Sequence, residues 1–274
     1  MKSMKICLAT SPSFGLSEED QIRLFAEIGF DGFFTGWAGD LSHYRALADE
    51  TGMYYQSVHA PFGGAGVIWE EGEEGENAAE ELLRCVRDTA AVGVPLVIVH
   101  PYKGFHKEEP TELGLSRFER VVREAERLGV SVAFENVEGE AYLNALMDQF
   151  ADCPTVGFCW DSGHELCYNR GKDMLGIYGD RLRGTHINDN LGVSDPNGKI
   201  TWHDDLHLLP FDGNQNWQGV AERLKKSRPI GELTLELTRK SKPNRHDNDR
   251  YMEMKIEDYL ADCYARAVRI AQML

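Results

Sequence analysis

Eight times along this chain a short β-branched or aromatic run is followed by a longer stretch of helical period, and no other feature limits the fold so tightly. The strand-like runs, in order, are KICLAT, FDGFFTG, YYQSVHAP, VPLVIVHPY, VSVAFENVE, TVGFCWDSG, LRGTHINDN and ELTLELTRK. Between them SEEDQIRLFAEIG, ENAAEELLRCVRDTAAVG, TELGLSRFERVVREAERLG and EAYLNALMDQFADC space their apolar residues three and four apart, as a helix lying on a sheet requires. Gly29, Gly93 and Gly129 stand just before the next strand, where a left-handed helix cap belongs. Strict strand–helix alternation demands parallel pairing, since parallel neighbours need a long crossover. Eight units in about 250 residues match a closed (β/α)8 barrel. With no linker or low-complexity stretch, the expectation is an α/β protein with a single domain over residues 1–274. A doubly wound open sheet is the alternative, but no glycine-rich fingerprint follows any strand.

The strand ends share a second property. Strand three ends at His59, strand four at His100, strand five at Glu135, strand six at Asp161 with His164 just beyond, strand seven at His186 and strand eight at Glu236. In a (β/α)8 barrel these ends converge on one rim, where active sites are built. The residues two positions earlier share the inward direction. They are Ser57, Ile98, Ala133, Cys159, Gly184 and Thr234, nearly all small, whereas the interposed Val58, Val99, Phe134, Trp160, Thr185 and Leu235 are mostly bulky. A hollow top to the barrel is therefore expected. One histidine at a strand end is an ordinary structural residue, and one glutamate an ordinary cap. Six consecutive strands ending in metal-competent side chains are harder to explain that way. Three carboxylates and several imidazoles converging without a cation would suffer like-charge repulsion and costly desolvation. A divalent metal removes that conflict, and oxygen-rich ligation with one or two imidazoles suits Mn, Mg, Co or Zn.

Charge narrows the partners. Against 29 Lys and Arg stand 45 Asp and Glu, a formal net charge of −16, which disfavours a nucleic acid. After strand three the run WEEGEEGENAAEE sets Glu70, Glu71, Glu73, Glu74 and Glu76 on the side of the rim, as a repulsive edge or simply as a solvated loop and helix N-terminus. The six cysteines form no C-x-x-C pair and read as reduced thiols of a cytoplasmic protein. No secretory leader is expected from MKSMKICLATSPSFG, and AAVGVPLVIV falls far short of the roughly 20 apolar residues that span a bilayer. The expected partner is a small molecule, with no membrane; self-association into a homo-oligomer is left open.

The segments HAPF, VIVHPY, FENVEG, WDSGH, THINDN, DDLHLLPFDGNQNW and LTLEL, in this order, resemble the xylose-isomerase-like TIM barrels. That superfamily holds sugar and sugar-phosphate isomerases and epimerases, and also AP endonucleases of the endonuclease IV type. The resemblance implies that Glu135, Asp161, His186 and Glu236 hold a single metal and that His164 contacts substrate. It also implies a metal-dependent isomerase or epimerase working through an enediolate. In that mechanism the metal polarises the carbonyl and adjacent hydroxyl while Glu135 and Glu236, three strands apart in a ring of eight, act as the two proton carriers. The nine ligands of an endonuclease IV site can also be matched, by His59, His100, Glu135, Asp161, His164, His186, Asp205, His207 and Glu236. In the isomerase reading His59, His100, Asp205 and His207 orient the metal ligands or bind substrate. Asn188, Asp189 and Asn190 follow the strand-seven histidine where some keto-sugar epimerases present an arginine, so Asn188 is expected at the substrate and the substrate need not be a free ketohexose. Lys103, His106, Arg239 and Lys240 are candidate rim cations for a phosphate or carboxylate, and Trp37, Phe62 and Trp69 a candidate apolar wall. The alternatives are a phosphodiesterase, a keto-cyclitol dehydratase and a non-catalytic sugar- or metal-binding barrel.

Overall fold

In the computed structural model, which describes residues 4–105 and 109–274, eight parallel strands run side by side in the order β7-β6-β5-β4-β3-β2-β1-β8. They are β1 (Lys5–Ala9), β2 (Gly32–Gly36), β3 (Tyr54–His59), β4 (Leu96–Val99), β5 (Ser131–Glu135), β6 (Val156–Asp161), β7 (Leu182–His186) and β8 (Glu232–Leu235). The ring closes just beyond β7, where Ile187 N donates to Thr234 O at 2.7 Å and Glu236 N to Ile187 O at 3.2 Å. The result is the expected (β/α)8 TIM barrel.

Helices α1 (Glu18–Ile28), α2 (Leu41–Thr51), α3 (Glu73–Ala91), α4 (Glu112–Leu128) and α5 (Glu140–Gln149) each follow one strand. The pair α6 (Ser162–Cys167) and α7 (Met174–Tyr178) follows β6, α8 (Trp217–Lys226) follows β7, and α9 (Asp249–Glu253) with α10 (Ile256–Ala271) completes the circuit. Local chemistry sets these boundaries. Ser17 and Thr111 cap α1 and α4 by accepting from Asp20 N and Gly114 N, and Gly29 and Gly129 end them at φ 110° and 71°. Helix α3 starts at Glu73, three residues ahead of the sequence expectation. Its first turn takes in Glu73, Glu74 and Glu76, whose charges suit the positive end of a helix.

Alternation along the strands separates two interiors. Val58, Val99, Phe134, Trp160 and Leu235 face outward into the main core between strands and helices. Leu96, Ile98, Ala133 and Cys159 form a small cluster of their own inside the barrel. Burying large side chains such as Phe134 and Trp160 contributes about 2–3 kcal/mol each. Above the inner cluster the strands end in polar groups instead of a further apolar layer.

Candidate active site at the carboxyl ends of the strands

Each polar group at the rim is fixed by its own element. His59, Glu135, Asp161 and His186 are the last residues of β3, β5, β6 and β7, while His100 and Glu236 lie one residue beyond β4 and β8. Asn136 ties β5 to β6 by accepting from Asp161 N at 2.7 Å and donating to Asp161 O at 2.9 Å. Asp161 also caps α6, its Oδ1 accepting from His164 N at 2.6 Å, which brings His164 over the same floor. Gly163 is required here: a Cβ would stand 1.8 Å from Asn188 Oδ1.

Asp205 and His207 come from the long loop between β7 and α8. Asp189 anchors that loop, accepting from the backbone N of Asn190, Phe211 and Gln215 and from Trp217 Nε1. His207 takes φ 47°, a left-handed conformation that costs a non-glycine residue on the order of 1–3 kcal/mol and is concentrated at functional sites.

The fully buried Glu135 carboxylate lies at the centre. Its Oε2 is 3.4 Å from both His59 Nε2 and His100 Nε2, and its Oε1 is 3.3 Å from His164 Nδ1 and 3.1 Å from His186 Nδ1. The same His186 Nδ1 is 3.1 Å from Glu236 Oε2. A single N–H cannot serve two carboxylates fully, so this position asks for more positive charge than one imidazole proton brings. On the far side His164 Nε2 and His207 Nε2 approach Asp205 Oδ1 at 3.4 and 2.9 Å. Glu135 Oε2, His164 Nδ1, His186 Nε2 and Asp205 Oδ1 are buried without a well-formed hydrogen bond among the described residues. Buried orphans of this kind mark a place where an ion or water belongs.

Burial opposes ionisation throughout and is the largest influence on each group. At Glu135 the imidazoles, led by His186, overcome it and hold the carboxyl well below its usual range. Glu236 is drawn down to about 2 against burial, chiefly by His186. At Asp161 burial wins and lifts the carboxyl to about 6. His207 is raised to about 9, against burial, by Asp205. His100 is lowered by burial.

Five overlapping groups among the described residues bring ligand atoms within 4.8 Å of one another: His59, His100 and Glu135; Glu135, Asp161, His186 and Glu236; His164, Asp205 and His207; His59, His186 and Glu236; and Glu135, Cys159 and His186. The donor set of carboxylate oxygens and imidazole nitrogens fits a divalent cation. A cavity of about 470 Å³ opens above them, with His59, His100, His164, Asp205, His207 and Glu236 in its wall. Thus nine of the ten candidate site residues converge. Asn188 does not reach the cavity: fully buried, it donates from Nδ2 to Asp161 Oδ2 at 2.8 Å and so holds a carboxylate from behind.

Other expectations divide similarly. Phe62 and Lys103 line the cavity. Trp69 instead packs against Phe118 and Tyr142, and Trp37 bonds Asp88 beside a different hollow. Arg239 is buried against the Tyr251 and Met254 carbonyls, so it is a structural cation and not a rim one. Lys240 is exposed outside the cavity wall, and His106 lies outside the described residues. Glu138, Tyr168, Trp202 and Lys242 also line the cavity and went unnoticed in the sequence. A signal existed for two of them, Glu138 three residues after Glu135 and Tyr168 four after His164. Trp202 and Lys242 sit on irregular loops that give none.

Fold and rim together define a TIM barrel whose ionisable groups are gathered at the carboxyl ends of its strands. The chain belongs to the xylose isomerase-like TIM barrel family, whose model matches residues 22–255. It is 27% identical over 267 residues to the uncharacterized protein y4fM of Sinorhizobium fredii (strain NBRC 101917 / NGR234), covering 86% of this chain and 79% of that one. Among solved structures it is similar to the IOLI protein with a binding zinc atom, at 19% identity, TM-score 0.75 and 98% coverage of both chains. It is also similar to D-psicose 3-epimerase with D-tagatose from Clostridium cellulolyticum H10, at 14% identity, TM-score 0.72 and coverage of 98% and 99%. No helix among the described residues is long and apolar enough to cross a membrane.

Proposed function

We propose that this protein is a divalent-metal-dependent isomerase or epimerase of a sugar or sugar phosphate, moving a proton beside a carbonyl through an enediolate. The observation that carries the reading is the meeting of Glu135 and Glu236, from strands three steps apart, on the single imidazole of His186 at 3.1 Å each, beneath a cavity of about 470 Å³. Glu135, Asp161, His186 and Glu236 would hold the metal, which when bound supplies Lewis-acid polarisation of a carbonyl and its neighbouring hydroxyl. Glu236, its side chain 25% exposed at the cavity wall, takes the proton from carbon, and Glu135 returns one from the other side. His59, His100 and His164 hold substrate hydroxyls above Glu135, and Asn188 keeps Asp161 oriented. The family, and the likeness to an epimerase solved with a ketose and to a protein solved with zinc, support this reading.

The test couples metal analysis to solvent exchange. Ketoses, ketose phosphates and hydroxypyruvate are incubated with the protein in deuterated water, and metal is counted by elemental analysis. Exchange at the carbon beside the carbonyl is expected. Glu236→Gln should keep most of its metal while turnover falls at least about 10²–10⁴-fold, the usual contribution of general acid–base catalysis. Near-normal turnover in both Glu135→Gln and Glu236→Gln would sink the two-carboxylate mechanism.

The presence of all nine residues within these overlapping ligand groups favours a second reading, a phosphodiesterase of the endonuclease IV type. Against it stand the net charge of −16 and the acidic first turn of α3. Three metals per chain with incision of an abasic duplex would establish it; one metal and no incision would remove it.

A further inference from the structure

The cavity wall joins two unlike surfaces. Its lower part is acidic and imidazole-rich, with Glu236, Asp205 and Glu138 facing the space and Glu135 and Asp161 beneath. Its mouth carries two exposed aromatic rings, Phe62 and Trp202, each with an ammonium over its face: Lys103 Nζ lies 4.7 Å from the Phe62 centroid and Lys242 Nζ 5.6 Å from that of Trp202. The lysines follow β4 and β8, half a turn apart in the ring of eight strands.

They differ in what they are bound to. Lys242 is already engaged, 3.2 Å from Asp205 Oδ2. Lys103 is not: among the described residues no carboxylate pairs with it. Nor is it a loose surface lysine. Phe62 stacks on His100 with centroids 4.9 Å apart and planes 24° from parallel, and His100 in turn faces Glu135 at 3.4 Å. The Lys103 ammonium is thus stationed one aromatic ring above the imidazoles that surround the proposed proton carriers. An ammonium held on a ring face keeps its remaining N–H groups for an acceptor.

We propose that Lys103 binds an anionic group of the substrate, a phosphate or a carboxylate, at the mouth of the cavity, while Phe62 and Trp202 bracket the carbon skeleton and the acidic floor takes the carbonyl end. The proposal rests on the isomerase or epimerase reading and assigns its substrate to the anionic members of that class. The neutral ketoses are then poor substrates.

Matched pairs separate the cases: each ketose beside its terminal phosphate, and beside the ketonic acid of similar length, in deuterium-exchange assays with wild-type, Lys103→Met and Lys242→Met proteins. The anionic partner should exchange at lower concentration than the neutral one. Lys103→Met should raise KM for that partner about ten- to a hundredfold, the worth of one charge-assisted hydrogen bond, and raise it far less for the neutral ketose. Lys242→Met, which frees Asp205, should affect both partners alike. Preference for the phosphate or for the acid identifies the anion. Equal handling of neutral and anionic partners, unchanged in Lys103→Met, overturns the anion site while leaving proton transfer intact. Absence of exchange from every compound sinks the isomerase reading instead. Calorimetric titration of the phosphate into wild-type and Lys103→Met proteins then still decides the anion site, with equal affinities overturning it.

Discussion

The two ends of this barrel are built from the same eight strands and separated by the same small cluster of Leu96, Ile98, Ala133 and Cys159, yet they treat charge in opposite ways. At the amino ends a cavity of about 220 Å³ is lined by Tyr54, Gln56, Ser131, Arg183 and Glu232 among others. The carboxyl there, Glu232, is accommodated locally, with a hydrogen bond from Gln56 and Lys5 nearby. At the carboxyl ends Glu135, Asp161 and Glu236 share a buried floor with histidines, and several atoms of that floor lack a well-formed hydrogen bond among the described residues. A barrel needs a filled interior to fold, and at the amino end Glu232 finds partners within the protein, while one buried atom of that lining, Arg183 Nε, goes without a hydrogen bond among the described residues. At the other end four such atoms, on Glu135, His164, His186 and Asp205, gather around one floor, where the proposed metal would sit. Stability should accordingly respond to a metal at one end and only to ordinary electrostatics at the other.

Removing the central carboxylate should break the comparison most severely. Glu135→Ala leaves His59, His100, His164 and His186 facing one another without their shared counter-charge, and removing one partner of a buried ionic set costs about 3–5 kcal/mol. Metal content should fall with it. Urea unfolding with elemental analysis on the same preparation reads both. A Glu135→Ala protein with wild-type stability and full metal would show that the floor is held together by other means.

Metal removal comes next in size. Stripping the protein with a chelator and restoring Mn or Zn at about a hundred times its dissociation constant should add about 2.7 kcal/mol, a rise of roughly 5–10 °C in melting temperature for a chain of this length. The same increment should appear in a Glu232→Gln protein, because that substitution lies at the opposite end. An increment that vanishes in Glu232→Gln would mean the two ends are coupled through the inner cluster.

How far the sequence foretold these ends depends on periodicity. The eight strands were legible because alternation and helical spacing repeat, and the rim residues because a strand of known direction carries its last residue to a known place. Glu135, Asp161, His186 and Glu236 meet for that reason. Asn188 lies behind Asp161 because Ser162 accepts its backbone N–H at 2.9 Å and its side chain turns toward that carboxylate, contacts that a polar residue two after His186 does not announce in the sequence. Trp69 looked like a loop aromatic because nothing local reveals that Pro101 O receives its indole N–H from 32 residues away. Lys242 and Trp202 lie on loops whose course is set by distant anchors such as Asp189 and Asn248, contacts that no local pattern encodes.

The smallest expected effect tests the quiet end. Burial raises the Glu232 carboxyl above the ordinary glutamate value, while the Gln56 hydrogen bond and Lys5 pull against it. A folded-state value above the unfolded one means that the folded protein prefers the proton. The group's favourable contribution is therefore complete below the unfolded value and is lost as pH rises through the folded one, leaving a net cost at neutral pH. Glu232→Gln keeps the shape and a hydrogen-bonding group while removing the charge, so it should be the more stable protein at pH 7 and lose that advantage on acidification to pH 4. The half-buried position is partly screened by solvent, which limits the gain to about 1 kcal/mol. Urea midpoints of the two proteins, measured across that range, should converge toward low pH. Convergence toward high pH would reverse the sign and place a stabilising charge at the amino end, and the contrast between the two ends would then be one of degree only.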